Sequence, residues 1–183
     1  ISRLVADSYI SSRVTGQFRG IVGNGVGLRG QRLYNVVDNV TQFIGLDFNI
    51  SKPFDANFNA PSDGPVINAS RDSVTWDIPD FNTDTYVNIP SGATHFKLAL
   101  ASGYMSNYEW DVATKGYVPV EDTPNGVGVV TYSNAIAIGG MVGAATSLTT
   151  DLTAFAPVPV TTVLLGATAI VFFQMVNGEL YEL

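Results

Sequence analysis

The stretch DSVTWDI, residues 72–78, alternates apolar and polar side chains with a period of two. Val74, Trp76 and Ile78 project to one side of an extended chain, and Ser73, Thr75 and Asp77 to the other. The alternation returns in ATHFKLALASG at 93–103, where Phe96, Leu98 and Leu100 oppose His95, Lys97 and Ala99. VGVVTYS (127–133), NAIAIGG (134–140), TTVLL (161–165) and ATAIVFFQMV (167–176) predict further strands. PSDGP, IPDFNTD, IPSGA and EDTPNG supply turns between them, and Asn177-Gly178 is the strongest hairpin signal in the chain. These runs predict a mainly β chain, an antiparallel immunoglobulin-like β-sandwich with Trp76 between the sheets.

Ahead of the strands the pattern is helical. Leu4, Val5 and Ile10 have a roughly helical spacing, with Ser2 as N-cap. After a glycine-rich break, Leu33, Val36, Val37, Val40 and Ile44 recur at i, i+3, i+4, i+7 and i+11, which predicts an amphipathic helix ended by Gly45. The expected division is a helical N-terminal segment with a glycine hinge over 1–45 and the sandwich over 46–183. Both ends look unfinished: the chain begins at Ile1 without methionine, and ELYEL stops in mid-strand.

Charge limits the function classes. Of 183 residues only 14% are charged, against about 25% in an ordinary soluble domain. The net charge of −7 repels a phosphate backbone. Five of the basic residues (Arg3, Arg13, Arg19, Arg29, Arg32) crowd the N-terminal segment without interleaved aromatics, so no nucleic-acid partner is expected. There is no cysteine, and His95 is the single histidine, which speaks against zinc. Leu152–Gly178 carries no charge, yet Pro157, Pro159, Gly166 and the lack of flanking Lys or Arg oppose a membrane span. The expectation there is two buried strands broken near Gly166.

Several short patterns carry chemistry in other settings. Gly25-x-Gly27-x-x-Gly30 matches a dinucleotide-binding turn, with Asp47 downstream, but no βαβ repeat follows. Its glycines are read as a hinge, and no cofactor is expected. Asp80-x-Asn82-x-Asp84 spaces three oxygen side chains as a calcium loop begins. Thr85 and Ser91 stand where an EF-hand needs Gly and Glu, leaving a calcium loop of another kind or a solvated turn. Glu109, Asp111, Glu121 and Asp122 are the acids available to a glycosidase pair. Tyr104, Tyr108, Trp110 and Tyr117 cluster in one stretch, as aromatics do where they stack on sugars or anchor an interface. Asn39, Asn49 and Asn68 match the N-glycosylation acceptor pattern.

Four strings, RGQR (29–32), FIGLDFN (43–49), GATHFKL (92–98) and FFQMVNGELYEL (172–183), resemble a family of uncharacterised Bacteroidetes proteins with a helical N-terminal part before β-strands. The resemblance implies a bacterial source and a chain continuing past YEL, and carries over no functional residue. In that setting Asp72-Ser73-Val74 resembles an O-glycosylation acceptor, with Ser73 as the modified residue.

From Thr123 to Gly178 the single charge is Asp151. Sandwich strands ordinarily carry polar groups outward, and small neutral outward side chains suit packing against another subunit. The expected function is a non-enzymatic structural subunit of a bacterial surface or filamentous assembly. It would lie outside the cell and associate with its own copies through low-charge faces and strand edges. The alternative is a carbohydrate-binding module that uses Tyr104, Tyr108 and Trp110.

Overall fold

The computed structural model describes residues 7–183; the predicted Ser2 cap and Leu4 and Val5 lie outside them. The alternation in DSVTWDI builds β2 (Ser73–Ile78), in which Val74, Trp76 and Ile78 are buried and Asp77 is exposed. β2 runs between β1 (Val66–Ile67) and β8 (Thr146–Asp151) in a three-stranded antiparallel sheet. The second sheet is centred on β3 (His95–Ser106), flanked by β9 (Thr162–Val176) on one side and by β6 (Gly128–Tyr132) and β7 (Ile136–Ala137) on the other. β10 (Glu179–Glu182) folds back along the last four residues of β9, and β4 (Tyr108–Asp111) and β5 (Gly116–Pro119) form a separate hairpin. Every strand pairing is antiparallel.

The chain is therefore mainly β, as the alternation predicts, with the larger sheet curled like half of a barrel over the smaller one. Phe96, Leu98, Leu100 and Tyr104 of β3 meet Val74, Trp76, Ile78 and Leu148 in one apolar core. Within it the Ser102 hydroxyl donates to Thr150 Oγ1 across the sheets at 2.7 Å, as burial of a polar group demands. The sheets meet along β6 and β8, where Thr131 Oγ1 donates to the Thr149 carbonyl at 2.9 Å.

Two sequence expectations are corrected here. The uncharged run does not break at Gly166 but forms one 15-residue strand, β9, continuously paired with β3 from Thr162 to Phe173. A Cβ at Gly166 would lie 3.3 Å from Val74 Cγ1 of the facing sheet, so the two sheets approach closely there. The amphipathic helix expected over 32–45 is only a 3-10 segment, Val37–Phe43, kinked at Asn39. Tyr34 gives its backbone to β4 instead, exchanging N–H···O bonds with Tyr108 at 2.8 and 3.1 Å, so the chain enters this segment extended. Val37 N–H donates to Asn107 Oδ1.

The principal helix is α1 (Ile10–Gly23), which runs through Gly16 and Gly20, where a break was expected. Gly20 lies against Gln42 Oε1, 3.1 Å from where its Cβ would stand, so the helix packs close to the 3-10 segment. Arg13 fixes the near end of α1, with its guanidinium on Asp7 and on the Asp47 and Phe48 carbonyls. Phe18 reaches Phe43 and Tyr34 edge-on at 5.5 and 6.0 Å. The short helix α2 (Phe54–Asn57) then returns the chain to the core, Phe54 packing on Trp76.

Asn177-Gly178 makes the expected hairpin. Both residues have positive φ, 53° and 87°, and Val176 pairs directly with Glu179. No helix among the described residues is long and apolar enough to cross a membrane.

Candidate functional site

Strand β3 continues to Ser106, and this changes the standing of the aromatic cluster. Tyr104 is not in a loop; it is 4% exposed in the core, its hydroxyl donating to the Arg71 carbonyl at 2.9 Å. Burial raises its pKa above the ordinary phenol value. Tyr104 is thus withdrawn as a surface contact. Tyr108, Trp110 and Tyr117 are half-buried. The Tyr108 hydroxyl pairs with the Asn125 side chain, and the Tyr117 hydroxyl donates to the Arg32 carbonyl at 2.9 Å. Tyr117 meets Trp110 and Tyr34 edge-to-face at 5.4 and 4.4 Å. The cluster therefore joins the β4–β5 hairpin to the N-terminal segment.

The other predicted positions find local partners. Asp80 Oδ1 accepts from Gly143 N–H and Asp84 Oδ2 from Gly140 N–H, both at 2.8 Å, while Asn82 Oδ1 caps α3 (Thr83–Tyr86) through Asp84 N–H. Thr83 adds bonds to Gly139 and Gly140. The spacing that suggested calcium serves a peptide loop: these oxygens hold the 139–143 turn against the core. No cluster of three or more His, Cys, Asp or Glu suited to a metal occurs among the described residues.

Asp111 is held below the usual carboxylate range by the Thr114 hydroxyl and the Ala113 N–H, opposite to the shift a glycosidic general acid needs. Glu121 accepts from Thr161 Oγ1. Ser73 opens β2, half-exposed and opposite Asp151, with its N–H on Asn68 Oδ1. Gly25-x-Gly27-x-x-Gly30 follows α1, and no helix opens at its third glycine. A side chain at Gly25 would collide with the Leu33 carbonyl, so the loop closes on itself.

One feature was not anticipated by residue. β9 is long, but β10 pairs only with Phe173–Val176, and the ladder closes with Leu183 N–H on the Phe172 carbonyl at 3.1 Å. Along an antiparallel strand, successive residues direct their backbone groups to opposite sides. The odd residues of β9 face β3: Phe173 O accepts from Thr94, Thr161 O accepts from Asn107, and Met175 N–H donates to Thr94 Oγ1. The even residues face outward. At the strand's start Arg71 takes the Thr162 carbonyl at 2.6 Å, and at its end Leu183 takes Phe172. Between these stops Leu164, Gly166, Thr168 and Ile170 direct N–H and C=O to an edge that no strand among the described residues occupies.

A cleft of about 1300 Å³ wraps this edge. Val14, Val40, Phe43 and Phe54 wall one side, and Pro65 and Ile67 another. Its ionisable lining is Asp47, Lys52, Asp55 and Glu182.

Comparison with known proteins adds no analogue: no family model, curated protein or solved structure matches the chain.

Proposed function

We propose that the chain is a non-enzymatic structural subunit that associates with copies of itself in a bacterial surface or filamentous assembly outside the cell. The near absence of charge from Thr123 to Gly178, where Asp151 is the single charged residue, carries this reading, because small neutral outward side chains suit packing against another subunit. The outward positions support it. Ser147 and Thr149 of β8 are exposed and neutral, and Val130 and Tyr132 of β6 are 38% and 43% exposed. Contacts between such faces lose little by desolvation and little by salt. We read the two sheets as immunoglobulin-like, with Trp76 as the residue between them.

A sugar-binding role has less support, since Tyr104 is buried and the Trp110 and Tyr117 rings stand 80° apart rather than forming one flat platform. Light scattering across a concentration series, in about 0.15 M and about 1 M sodium chloride, tests self-association. The expected mass rises with concentration equally in both. A monodisperse monomer throughout contradicts the proposal.

A further inference from the structure

We propose that Asn177-Gly178 is a site of spontaneous covalent modification, where the β9–β10 turn converts through a succinimide to aspartate and isoaspartate as the protein ages. This chemistry is independent of self-association.

The chain has three Asn-Gly steps, Asn24-Gly25, Asn125-Gly126 and Asn177-Gly178. At such a step the glycine amide nitrogen, once hydroxide has taken its proton, bonds to the asparagine Cγ. The Cγ–Nδ2 bond breaks and the amide leaves as ammonia. Water then opens the succinimide at either carbonyl, giving aspartate or isoaspartate. Glycine favours the first bond because it has no side chain to obstruct its nitrogen.

The fold restrains two of the three steps. Asn125 is half-buried, its Oδ1 accepting from Ser106 N–H and its Nδ2 donating to the Tyr108 hydroxyl, both at 2.9 Å. The nitrogen that would attack it is engaged as well, since Gly126 N–H donates to the Tyr104 carbonyl at 3.0 Å. Asn24 is exposed, but Gly25 N–H donates to the Val22 carbonyl at 3.1 Å. Asn177 and Gly178 are both exposed, and Gly178 N–H has no backbone acceptor among the described residues. Only there are the electrophile and the nucleophile both in reach of water, and a surface turn opens without breaking the core.

The products change the hairpin in two ways. Either one adds a carboxylate to the Thr123–Gly178 stretch, in which Asp151 is the single charge. Isoaspartate also lengthens the main chain by a methylene. The two-residue turn, with φ of 53° and 87°, then no longer matches the Val176–Glu179 pair that it closes.

The test is peptide mapping by mass spectrometry of the intact chain after incubation in mildly alkaline buffer, native and in denaturant. In the native protein Asn177 is expected to convert first, roughly tenfold or more faster than Asn125, with Asn24 between them. In denaturant all three are expected to convert at comparable rates. A native Asn177 that converts no faster than Asn125 or Asn24 overturns the proposal. The same order and spread in denaturant also overturns it, because the fold then selects nothing. The isoaspartyl fraction, separated by its added charge and its retention, is expected to lose amide protection at Val176 and Glu179. Unchanged protection there overturns the effect on the hairpin.

Discussion

Tyr104 separates a core role from a recognition role. In Tyr104→Ala the ring leaves a site that is 4% exposed, in the core cluster that holds Leu100 and Leu164 and beside Phe155 at 6.5 Å. An aromatic side chain buries about 200 Å². At about 25 cal/mol per Å² that is ~5 kcal/mol, reduced to ~3–4 by residual burial in the unfolded chain. Large-to-small substitutions of buried aromatics cost about 3–5 kcal/mol, in agreement. For a chain of this length each kcal/mol moves Tm by about 2–4 °C, so the expected drop is roughly 6–20 °C. Tyr104→Phe keeps the ring and loses only the 2.9 Å bond to the Arg71 carbonyl. That costs about 1 kcal/mol, a drop of roughly 2–4 °C. Calorimetric melting of both variants and of Trp110→Ala reads the contrast. A Tyr104→Ala protein that melts within about 2 °C of wild type refutes the core placement and restores Tyr104 as a surface aromatic.

Gly25→Ala pushes its methyl group into the Leu33 carbonyl and must open the 25–33 loop, whereas Gly16→Ala meets nothing and relieves a mid-helix glycine. Melting should show the first destabilised and the second stabilised by about 0.5–1 kcal/mol; equal shifts of one sign contradict the loop geometry. Asp7 is held below its ordinary pKa chiefly by its hydrogen bonds from Arg13. A carboxylate depressed on folding stabilises fully above the unfolded pKa of about 3.9, and that contribution is lost as pH falls through the lower folded value. NMR titration of Asp7 should therefore read below about 3.9, and Arg13→Met should return it there; an unshifted Asp7 in the wild type contradicts the anchor.

The parts of this fold that were legible are those where local pattern and packing agree. Val74, Trp76 and Ile78 alternate because one face of β2 is core, and Asn177-Gly178 turns because both residues adopt positive φ. The misread elements are those where a tertiary contact overrides local preference. The helix Ile10–Gly23 reaches into the glycine-rich stretch because each glycine costs a helix only about 1 kcal/mol, which the Phe18 and Arg13 contacts offset. Leu33–Ile44 has a helical period, yet Tyr34 pairs with Tyr108, far away in sequence. Gly166 read as a break because spacing cannot show that Val74 lies across the sheet from it.

The same limit applies to the candidate site. Tyr104 looked like the first of four loop aromatics, but its even position in β3 puts it with Phe96, Leu98 and Leu100. Asp80, Asn82 and Asp84 had the spacing of cation ligands, but the two aspartates accept from backbone N–H groups of a loop some sixty residues away, and Asn82 caps its own short helix through Asp84 N–H. The outer edge of β9 is set by strand pairing, β10 meeting Phe173–Val176, a register that no local pattern names.

Native-state amide exchange on dilute, monomeric protein tests the pairing of β9 most directly. Val163, Leu165, Ala167, Ala169 and Val171 direct their N–H groups to β3 and are expected to exchange slowly. Leu164, Gly166, Thr168 and Ile170 face the recess and are expected to exchange much faster, giving an alternating profile along one strand. Uniform protection from Val163 to Val171 would show the edge already paired within the monomer and would contradict the account.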